Sequence, residues 1–170
     1  LIKSGYEVTI VSRKERAASS GARLLTWQQL QEKPELLEGY DAFVNLAGES
    51  INQRWTTKAK ERILGSRIRA TSAVAELVDR LHRKPEVVVN GSGMSIYGYS
   101  DHETFDEHSP AQLTDFLART VERWEQEADR IRGVRLVKLR IGLVLGRSGG
   151  AFPLMMLPYR MFVGGRVGSG

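Results

Sequence analysis

The fold is decided by one stretch, Asp41-Ala42-Phe43-Val44-Asn45-Leu46-Ala47-Gly48. Its apolar run at 42–46 predicts a short buried strand that stops at a turn of small residues. In an open α/β sheet, ligands bind just beyond the carboxyl ends of the strands. Ala47 and Gly48 leave room for a flat ligand against their backbone, and Asn45 offers a donor and an acceptor. The alternative is a strand that ends in a tight turn without a ligand, so the flanking sequence must decide.

The rest of the sequence alternates between predicted strands and predicted helices. We predict strands at 6–11, 22–27, 42–46, 86–90 and 134–139, and helices from Thr56 or Thr57 to His82 and at 114–132. A polar connection with some helical pattern spans 28–39, and Gly65 is a candidate break in the first long helix. Alternation of this kind is typical of a doubly wound parallel sheet, the Rossmann fold, in the α/β class.

The first strand of such a sheet has no counterpart in the sequence. Residues 1–5 have the pattern of a last helical turn closed by Gly5. In the strand order 3-2-1-4-5-6 the first strand is central, so the strand at 6–11 lacks its inner neighbour. We therefore expect the first strand and the glycine-rich pyrophosphate loop to be missing from this sequence.

Composition narrows the class of protein. The 170 residues are 41% hydrophobic and 26% charged, which suits a domain with its own core. The chain has no cysteine, and its three histidines are scattered, so we expect neither disulfides nor a metal site. No apolar run approaches the ~18 residues of a membrane span. The net charge of +5 is interleaved with acids. We predict a cytoplasmic protein with a small-molecule substrate and neither a nucleic-acid nor a membrane partner.

The residues that follow the predicted strand at 6–11 bear on the choice between NAD and NADP. In dinucleotide-binding sheets, the second strand often ends in an acid that binds the ribose hydroxyls of NAD. Here Ser12, Arg13 and Lys14 follow the strand at 6–11, and the first acid is Glu15. Because guanidinium grips phosphate oxygens in a bidentate way, the pattern favours NADP through its 2′-phosphate. The alternative is a basic surface turn.

Small residues and hydroxyls also follow the strand at 86–90. Residues 91–98 read Gly-Ser-Gly-Met-Ser-Ile-Tyr-Gly. Because chemistry is expected at the carboxyl end of a strand, Ser92, Ser95 and Tyr97 are candidate catalytic residues, with Tyr97 as a proton donor. The alternative is a tyrosine that packs at the edge of the cleft.

The composition changes after Arg147. Residues 148–150 predict a flexible segment, and the apolar residues 152–163 predict part of a second small lobe or a lid. We therefore divide the chain into an N-terminally incomplete Rossmann domain at 1–147 and the beginning of a C-terminal substrate lobe at 148–170.

A series of short motifs runs along the chain in a recognisable order. They are Asn45-Leu-Ala-Gly-Glu-Ser-Ile, Arg54-Trp-Thr, Ser66-Arg67-Ile, Ala70-Thr71, Trp124-Glu125, Leu139-Arg140-Ile-Gly-Leu-Val-Leu-Gly, Gly149-Gly150 and Gly168-Ser169-Gly170. Together they resemble the atypical extended short-chain dehydrogenase/reductases, in the nucleoside-diphosphate-sugar epimerase-like or cell-division-inhibitor-like subgroup. The resemblance implies a Rossmann fold that binds NADP, a C-terminal substrate lobe and a total length near twice this one. The expected cofactor contacts are Ser12, Arg13, Asn45, Leu46, Ala47, Gly48, Glu49, Arg67 and Ser92.

The catalytic residues of that family do not carry over. Extended members use a Ser or Thr near the 92–95 turn and a Tyr-x-x-x-Lys pair on the next helix, in which Lys lowers the pKa of Tyr. The matching helix here, which begins near Phe116, has neither residue. Gly93 occupies the usual serine position, and Tyr97 matches the strand-end Tyr-Gly of the family.

Three functional hypotheses follow. The first is an NADP-dependent oxidoreductase or epimerase that acts on a small substrate, such as a nucleotide sugar or a carbonyl compound. The second is a non-catalytic NADP-binding sensor or regulatory protein, because the Tyr-x-x-x-Lys pair is absent. The third is an interaction module, in which apolar stripes on the helices at 66–82 and 114–132 form a homodimer interface. Such stripes usually pack on the protein's own sheet, so both monomer and homodimer stay open.

Overall fold

A computed structural model describes residues 1–14, 21–146 and 149–166. Its strands are β1 (Thr9–Ser12), β2 (Arg23–Thr26), β3 (Ala42–Asn45), β4 (Val87–Gly93), β5 (Arg135–Ile141), β6 (Leu145–Gly146) and β7 (Gly149–Gly150). Its α-helices are α1 (Trp27–Glu32), α2 (Thr57–Arg80), α3 (Phe116–Ala128) and α4 (Ala151–Arg160). Short 3₁₀ helices lie at Ile2–Ser4, Pro34–Leu37 and Met94–Tyr97. The predicted alternation of strands and helices is confirmed.

The five longer strands form two parallel ladders. β1 pairs with β2, and β3, β4 and β5 pair in that order, with Asn45 opposite Asn90 and Ser92 opposite Arg140. Among the described residues no strand bridges β1 and β3. Ile10 and Val44, one on each of these strands, are 45% and 55% exposed. Strands of a parallel sheet are normally covered on both faces, and the order matches a doubly wound sheet without its central strand.

Helix α2 connects β3 to β4, and its Leu77 shares a core cluster with Leu25 of β2. Thr56 caps it by accepting a hydrogen bond from the backbone N–H of Ala59, as predicted. Gly65 does not break the helix, which corrects the sequence-based expectation. A glycine costs about 1 kcal/mol relative to alanine in a helix. The fully buried Ile63 and Val78 each contribute about 1.5–3 kcal/mol, so the packed face outweighs the glycine.

Helix α3 is shorter than predicted at both ends. Asp115 caps it by accepting a hydrogen bond from the N–H of Ala118 at 2.8 Å. Its apolar stripe, including Val121, Trp124 and Ala128, is buried inside the chain, and so is much of the stripe on α2. The buried residues of these stripes belong to the core of the chain, and the helical dimer stays a prediction.

The C-terminal segment differs from its prediction. β6 and β7 form a small antiparallel ladder on which α4 packs, so Gly149 and Gly150 lie in a strand instead of a flexible linker. Helix α4 exposes several large apolar side chains, among them Leu154, Met155 and Leu157. The domain boundary at 147–148 and the motif at 168–170 lie outside the described residues, and the second lobe stays a prediction. None of the described helices is both long enough and apolar enough to cross a membrane.

Candidate functional site

The turns that follow β3 and β4 lie side by side, because the two strands are adjacent and in register. We name residues 45–49 the first turn and residues 91–97 the second turn, and each includes the last residues of its strand, 45 in β3 and 91–93 in β4. Both lie at the carboxyl edge of the three-stranded ladder, where a ligand site is expected. The sequence-predicted residues of both turns therefore come together as expected.

The side chain of Asn45 points into the protein. It is 5% exposed, and its Nδ2 donates to Asn90 Oδ1 at 2.7 Å and to Thr71 Oγ1 at 3.1 Å. Its Oδ1 accepts the backbone N–H of Ala47 at 3.2 Å. An amide has two N–H donors, and both are used here. This geometry corrects the expectation that the Asn45 side chain offers itself to a ligand. Its role is to hold the backbone of the first turn in place.

Trp124 of α3 completes the buried polar network. Its Nε1 donates to Thr71 Oγ1 at 2.9 Å, and its ring lies against the backbone of Gly91. A Cβ at residue 91 would come within 3.0 Å of Trp124 Cη2 and 3.2 Å of the Asn45 carbonyl oxygen. The glycine is therefore required by the close approach of helix and strand beneath the two turns.

Arg67 of α2 holds the backbone of the first turn by hydrogen bonding. Its Nη1 donates to the carbonyl oxygens of Glu49 at 3.0 Å and Ile63 at 2.9 Å, and its guanidinium lies 5.2 Å from the centre of the Trp124 ring. A Cβ at Gly48 would lie 3.0 Å from Arg67 Cζ, so this approach requires a bare backbone. Burial lowers the pKa of Arg67, and the charge of Glu49 opposes that shift. In this structure Arg67 holds the turn, and any contact with a cofactor would be made through the turn.

Glu49 forms polar contacts with the loop that follows the first turn and with α2. Its Oε1 forms an ion pair with Arg62 Nε at 3.0 Å and accepts from Gln53 Nε2 at 3.1 Å. Hydrogen bonds from Gln53 and Arg62 lower the pKa of Glu49, and the charge of Arg13 contributes to the same shift. Arg13 directly follows Ser12, the last residue of β1.

The remaining contacts expected for a cofactor stay open at the surface. Leu46 is 62% exposed, and Arg13 and Lys14 are exposed as well. The hydroxyl of Ser12 donates to the backbone carbonyl of Lys14. The surface beside the first turn therefore consists of bare backbone, one apolar side chain and nearby positive charge.

Ser92 in the second turn is buried. It is 6% exposed, and its hydroxyl donates to Glu125 Oε1 at 2.5 Å. The donor of Ser92 is thus used inside the protein, and a contact of Ser92 with a substrate or a cofactor stays a prediction. Ser95 is half-buried, and a Cβ built at Gly93 would lie 3.6 Å from its Oγ. The Ser95 hydroxyl thus lies beside the position at which extended reductases carry their serine.

An ion pair supports Tyr97 at the end of the second turn. Arg140 of β5 holds Glu125 with two hydrogen bonds, Nε to Oε1 at 2.9 Å and Nη2 to Oε2 at 3.0 Å. Its remaining nitrogen, Nη1, donates to Tyr97 Oη at 2.6 Å. Burial raises the pKa of Glu125, but hydrogen bonds from Arg140 and Ser92 outweigh it, so the pKa falls below its ordinary value. The bond to Glu125 raises the pKa of Arg140.

Sequence reasoning missed Glu125 and Arg140 as site residues, although both belong to the quoted motifs. Two signals were available. Glu125 is an acid next to Trp124 on the inward side of an amphipathic helix, and Arg140 is a cation near the carboxyl end of a strand in the parallel sheet. A charge in such a place is almost always paired.

Taken together, the parallel ladders and the two small-residue turns at their carboxyl edge define a dinucleotide-binding α/β domain of the Rossmann type. The model of the NAD-dependent epimerase/dehydratase family matches residues 1–161. The chain belongs to this family, which confirms the resemblance seen in its motifs.

Relatives of known sequence and structure agree with this assignment. The chain is 40% identical to the epimerase family protein YfhF of Bacillus subtilis, covering 100% of this chain and 57% of that protein. The crystal structure of human epimerase family protein SDR39U1 (isoform 2) with NADPH is 39% identical, with a TM-score of 0.87 over 100% of this chain and 57% of that one. A nucleoside-diphosphate sugar epimerase from Corynebacterium glutamicum is 31% identical, with a TM-score of 0.72 over 97% and 34%. The chain spans little more than half the length of the curated relatives it matches.

Proposed function

We propose that the protein binds NADPH at the carboxyl edge of this sheet and uses it to reduce or epimerise a small carbonyl or sugar substrate. The observation that carries the proposal is the basic sequence Ser12-Arg13-Lys14 at the carboxyl end of β1. Arg13 supplies a charge there that suits a 2′-phosphate, and no acid occupies the position that would favour NAD. The NADPH in the human SDR39U1 structure supports the same choice.

The first turn fits a flat nucleotide by its shape. Asn45, Arg67 and the N–H of Glu49, which donates to Ser66 Oγ at 2.9 Å, hold the turn from below. No side chain at Gly48 stands between its backbone and a ligand. In this proposal Ala47 and Gly48 lie against the cofactor, Leu46 covers it, and Ser12 and Arg13 bind its adenosine phosphate.

The second turn presents hydroxyls to the substrate. A bound reduced nicotinamide supplies hydride to a carbonyl carbon, and Ser95 and Tyr97 act on the carbonyl oxygen. Ser95 donates a hydrogen bond that orients the oxygen, and Tyr97 supplies the proton. Ser92 takes no direct part, because its hydroxyl is bound to Glu125.

Calorimetric titration of the full-length protein with NADPH and with NADH tests the cofactor. Arg13→Ala should weaken NADPH binding about tenfold to a hundredfold, the range of a lost charge-assisted hydrogen bond, and leave NADH binding nearly unchanged. Arg23→Ala is the matched control, because Arg23 is an exposed arginine at the amino end of β2. Equal loss of both nucleotides, or no loss, would contradict the role of Arg13.

A non-catalytic NADPH sensor is the second candidate. It is favoured by the inward hydroxyl of Ser92 and by α3, whose sequence contains neither tyrosine nor lysine. A screen of aldehydes, quinones and sugar nucleotides for NADPH oxidation separates the two candidates. Robust turnover of any of them would exclude the sensor.

The cellular location and the oligomeric state belong to the same proposal. The absence of cysteine supports a cytoplasmic location, which cell fractionation tests. Because the apolar stripes of α2 and α3 are buried in the chain, we favour a monomer. Sedimentation of the full-length protein as a stable dimer would exclude that preference.

A further inference from the structure

The hydrogen bond between Arg140 and Tyr97 has a fixed direction. Guanidinium nitrogens donate and never accept, so Tyr97 Oη must be the acceptor in its 2.6 Å contact with Arg140 Nη1. A phenol can accept with its lone pairs and donate with its single proton. The proton of Tyr97 is therefore left free for another partner.

The other bonds of Arg140 keep it in this position. Glu125 takes two of its nitrogens in a bidentate pair, and Ser92 donates to the same carboxylate. The carbonyl oxygen of Glu107 also accepts from Nη1, at 3.3 Å. Because Nε and Nη2 of the planar guanidinium are both bound to Glu125, Nη1 faces the phenol in one orientation.

The Tyr97 ring is fixed as well as its oxygen. Phe105 stacks on it with ring centres 5.5 Å apart and an angle of 8° between the planes, and Arg140 Cζ lies 4.9 Å from the ring centre. With the ring and the oxygen both held, the hydroxyl proton has few directions left. The half-buried side chain belongs to the second turn, where the proposed substrate lies.

We propose that Arg140, held by Glu125, is a positioning residue that makes Tyr97 the proton donor of this site, in the place of the tyrosine and lysine that α3 lacks. The inference rests on the proposed function. Tyr97 Oη gives its proton to the carbonyl oxygen while the carbonyl carbon accepts hydride from the reduced nicotinamide, so an alcohol forms and the cofactor is oxidised. The phenolate that remains lies against the cationic Arg140 and regains a proton from water.

Raman spectroscopy tests the direction of the hydrogen bond without a substrate. The intensity ratio of the tyrosine Fermi doublet distinguishes a phenol that accepts from one that donates. A difference spectrum between the wild type and Tyr97→Phe isolates this residue among the five tyrosines. We expect an acceptor ratio in the wild type and its loss in Arg140→Lys, which keeps a charge for Glu125 but lacks the planar fork. A donor ratio in the wild type would overturn the inference.

Kinetics test the catalytic consequence, with an aromatic ortho-quinone and a series of simple aldehydes as carbonyl probes. Tyr97→Phe should lower kcat about 100-fold or more, the range of general acid catalysis, with little change in KM. Arg140→Lys should lower kcat at least tenfold in the wild type and should have no further effect in Tyr97→Phe, because the two residues act as one unit. Independent losses in the double variant would overturn the inference.

Two further variants separate positioning from folding. Lys138→Met removes a cation from the same face of β5, where it pairs with Asp129 at 2.7 Å, and should retain full kcat. Glu125→Leu combined with Arg140→Met removes both charges without leaving one of them buried alone, so it should fold and yet lose kcat. Full kcat in this double variant would also overturn the inference.

Calorimetry on the same proteins distinguishes the two possible failures. If NADPH does not bind, the proposed function fails, and the Raman ratio still decides the geometry on its own. If NADPH binds and no probe is reduced, the inference about Tyr97 is overturned while cofactor binding stands.

Discussion

The first and second turns end neighbouring strands, yet they use their polar residues in opposite ways. In the first turn, Asn45 and Arg67 face inward and hold the backbone, so that bare backbone is left at the surface. In the second turn, the partly buried pair of Arg140 and Glu125 supports Tyr97, whose hydroxyl accepts a hydrogen bond from Arg140. In the proposed function, this edge of the sheet has two roles, with cofactor binding by shape at the end of one strand and proton transfer at the end of the next.

The largest expected effect comes from breaking the ion pair behind the second turn. Arg140→Met leaves Glu125 charged, buried and unpaired, so the free energy of unfolding should fall by about 3–5 kcal/mol. Urea denaturation measures it. Lys138→Met is the control and should cost only about 0.2–1 kcal/mol, because its pair with Asp129 is more exposed. Similar losses of unfolding free energy in the two variants would mean that the pair of Glu125 and Arg140 stabilises the protein no more than an exposed pair does.

The next effect concerns the network behind the first turn. Asn45→Ala leaves Asn90 Oδ1 without its closest donor, so the free energy of unfolding should fall by about 1–3 kcal/mol. The exposed Asn52→Ala is the control and should stay within about 0.5 kcal/mol of the wild type. If Asn45→Ala kept full stability, the first turn would not depend on buried polar bonds.

A substitution in the first turn should change the affinity for NADPH and NADH more than it changes the free energy of unfolding. Gly48→Ala places a Cβ 3.0 Å from Arg67 Cζ, so Arg67 or the backbone of the first turn must shift. NADPH and NADH should both bind about tenfold more weakly, a change of about 1.4 kcal/mol, because the turn contacts a part common to both. Gly65→Ala on α2 is the control and should leave both affinities unchanged. Unaltered binding in Gly48→Ala would remove the first turn from the cofactor site.

The smallest effect is a pH dependence at the second turn. Because the folded pKa of Glu125 lies below its ordinary value of 4.5, the carboxylate contributes stability above that value. This stability is lost as the pH falls from about 5 through the folded pKa. Urea midpoints of the wild type and Glu125→Gln should therefore differ at pH 7 and converge in acid. A constant difference between the two would contradict the lowered pKa.

Local patterns in the sequence were enough to predict the main strands and helices of the fold. The apolar run at 42–46 and the Thr56 cap were both predicted from neighbouring residues and are present in the structure. Gly65 was the misleading local signal, because the packing of Ile63 and Val78 outweighs one poor helix former. The elements, and the cleft that their order implies, could thus be predicted.

Side-chain direction at the site could not be predicted in the same way. Asn45 and Ser92 were expected to face a ligand, but each bonds to partners more than 20 positions away along the chain: Thr71 and Asn90 for Asn45, and Glu125 for Ser92. Whether a polar side chain at a strand end turns inward depends on such distant partners, which no local pattern records. The pairing of Glu125 with Arg140 was missed for the same reason.

The most direct test of the division between the two turns is a calorimetric titration of NADPH into the full-length wild type, Arg13→Ala and Arg140→Lys. We expect NADPH to bind the wild type and Arg140→Lys with the same affinity, and to bind Arg13→Ala at least tenfold more weakly. Absence of binding to the wild type, or equal weakening in both variants, would contradict this expectation.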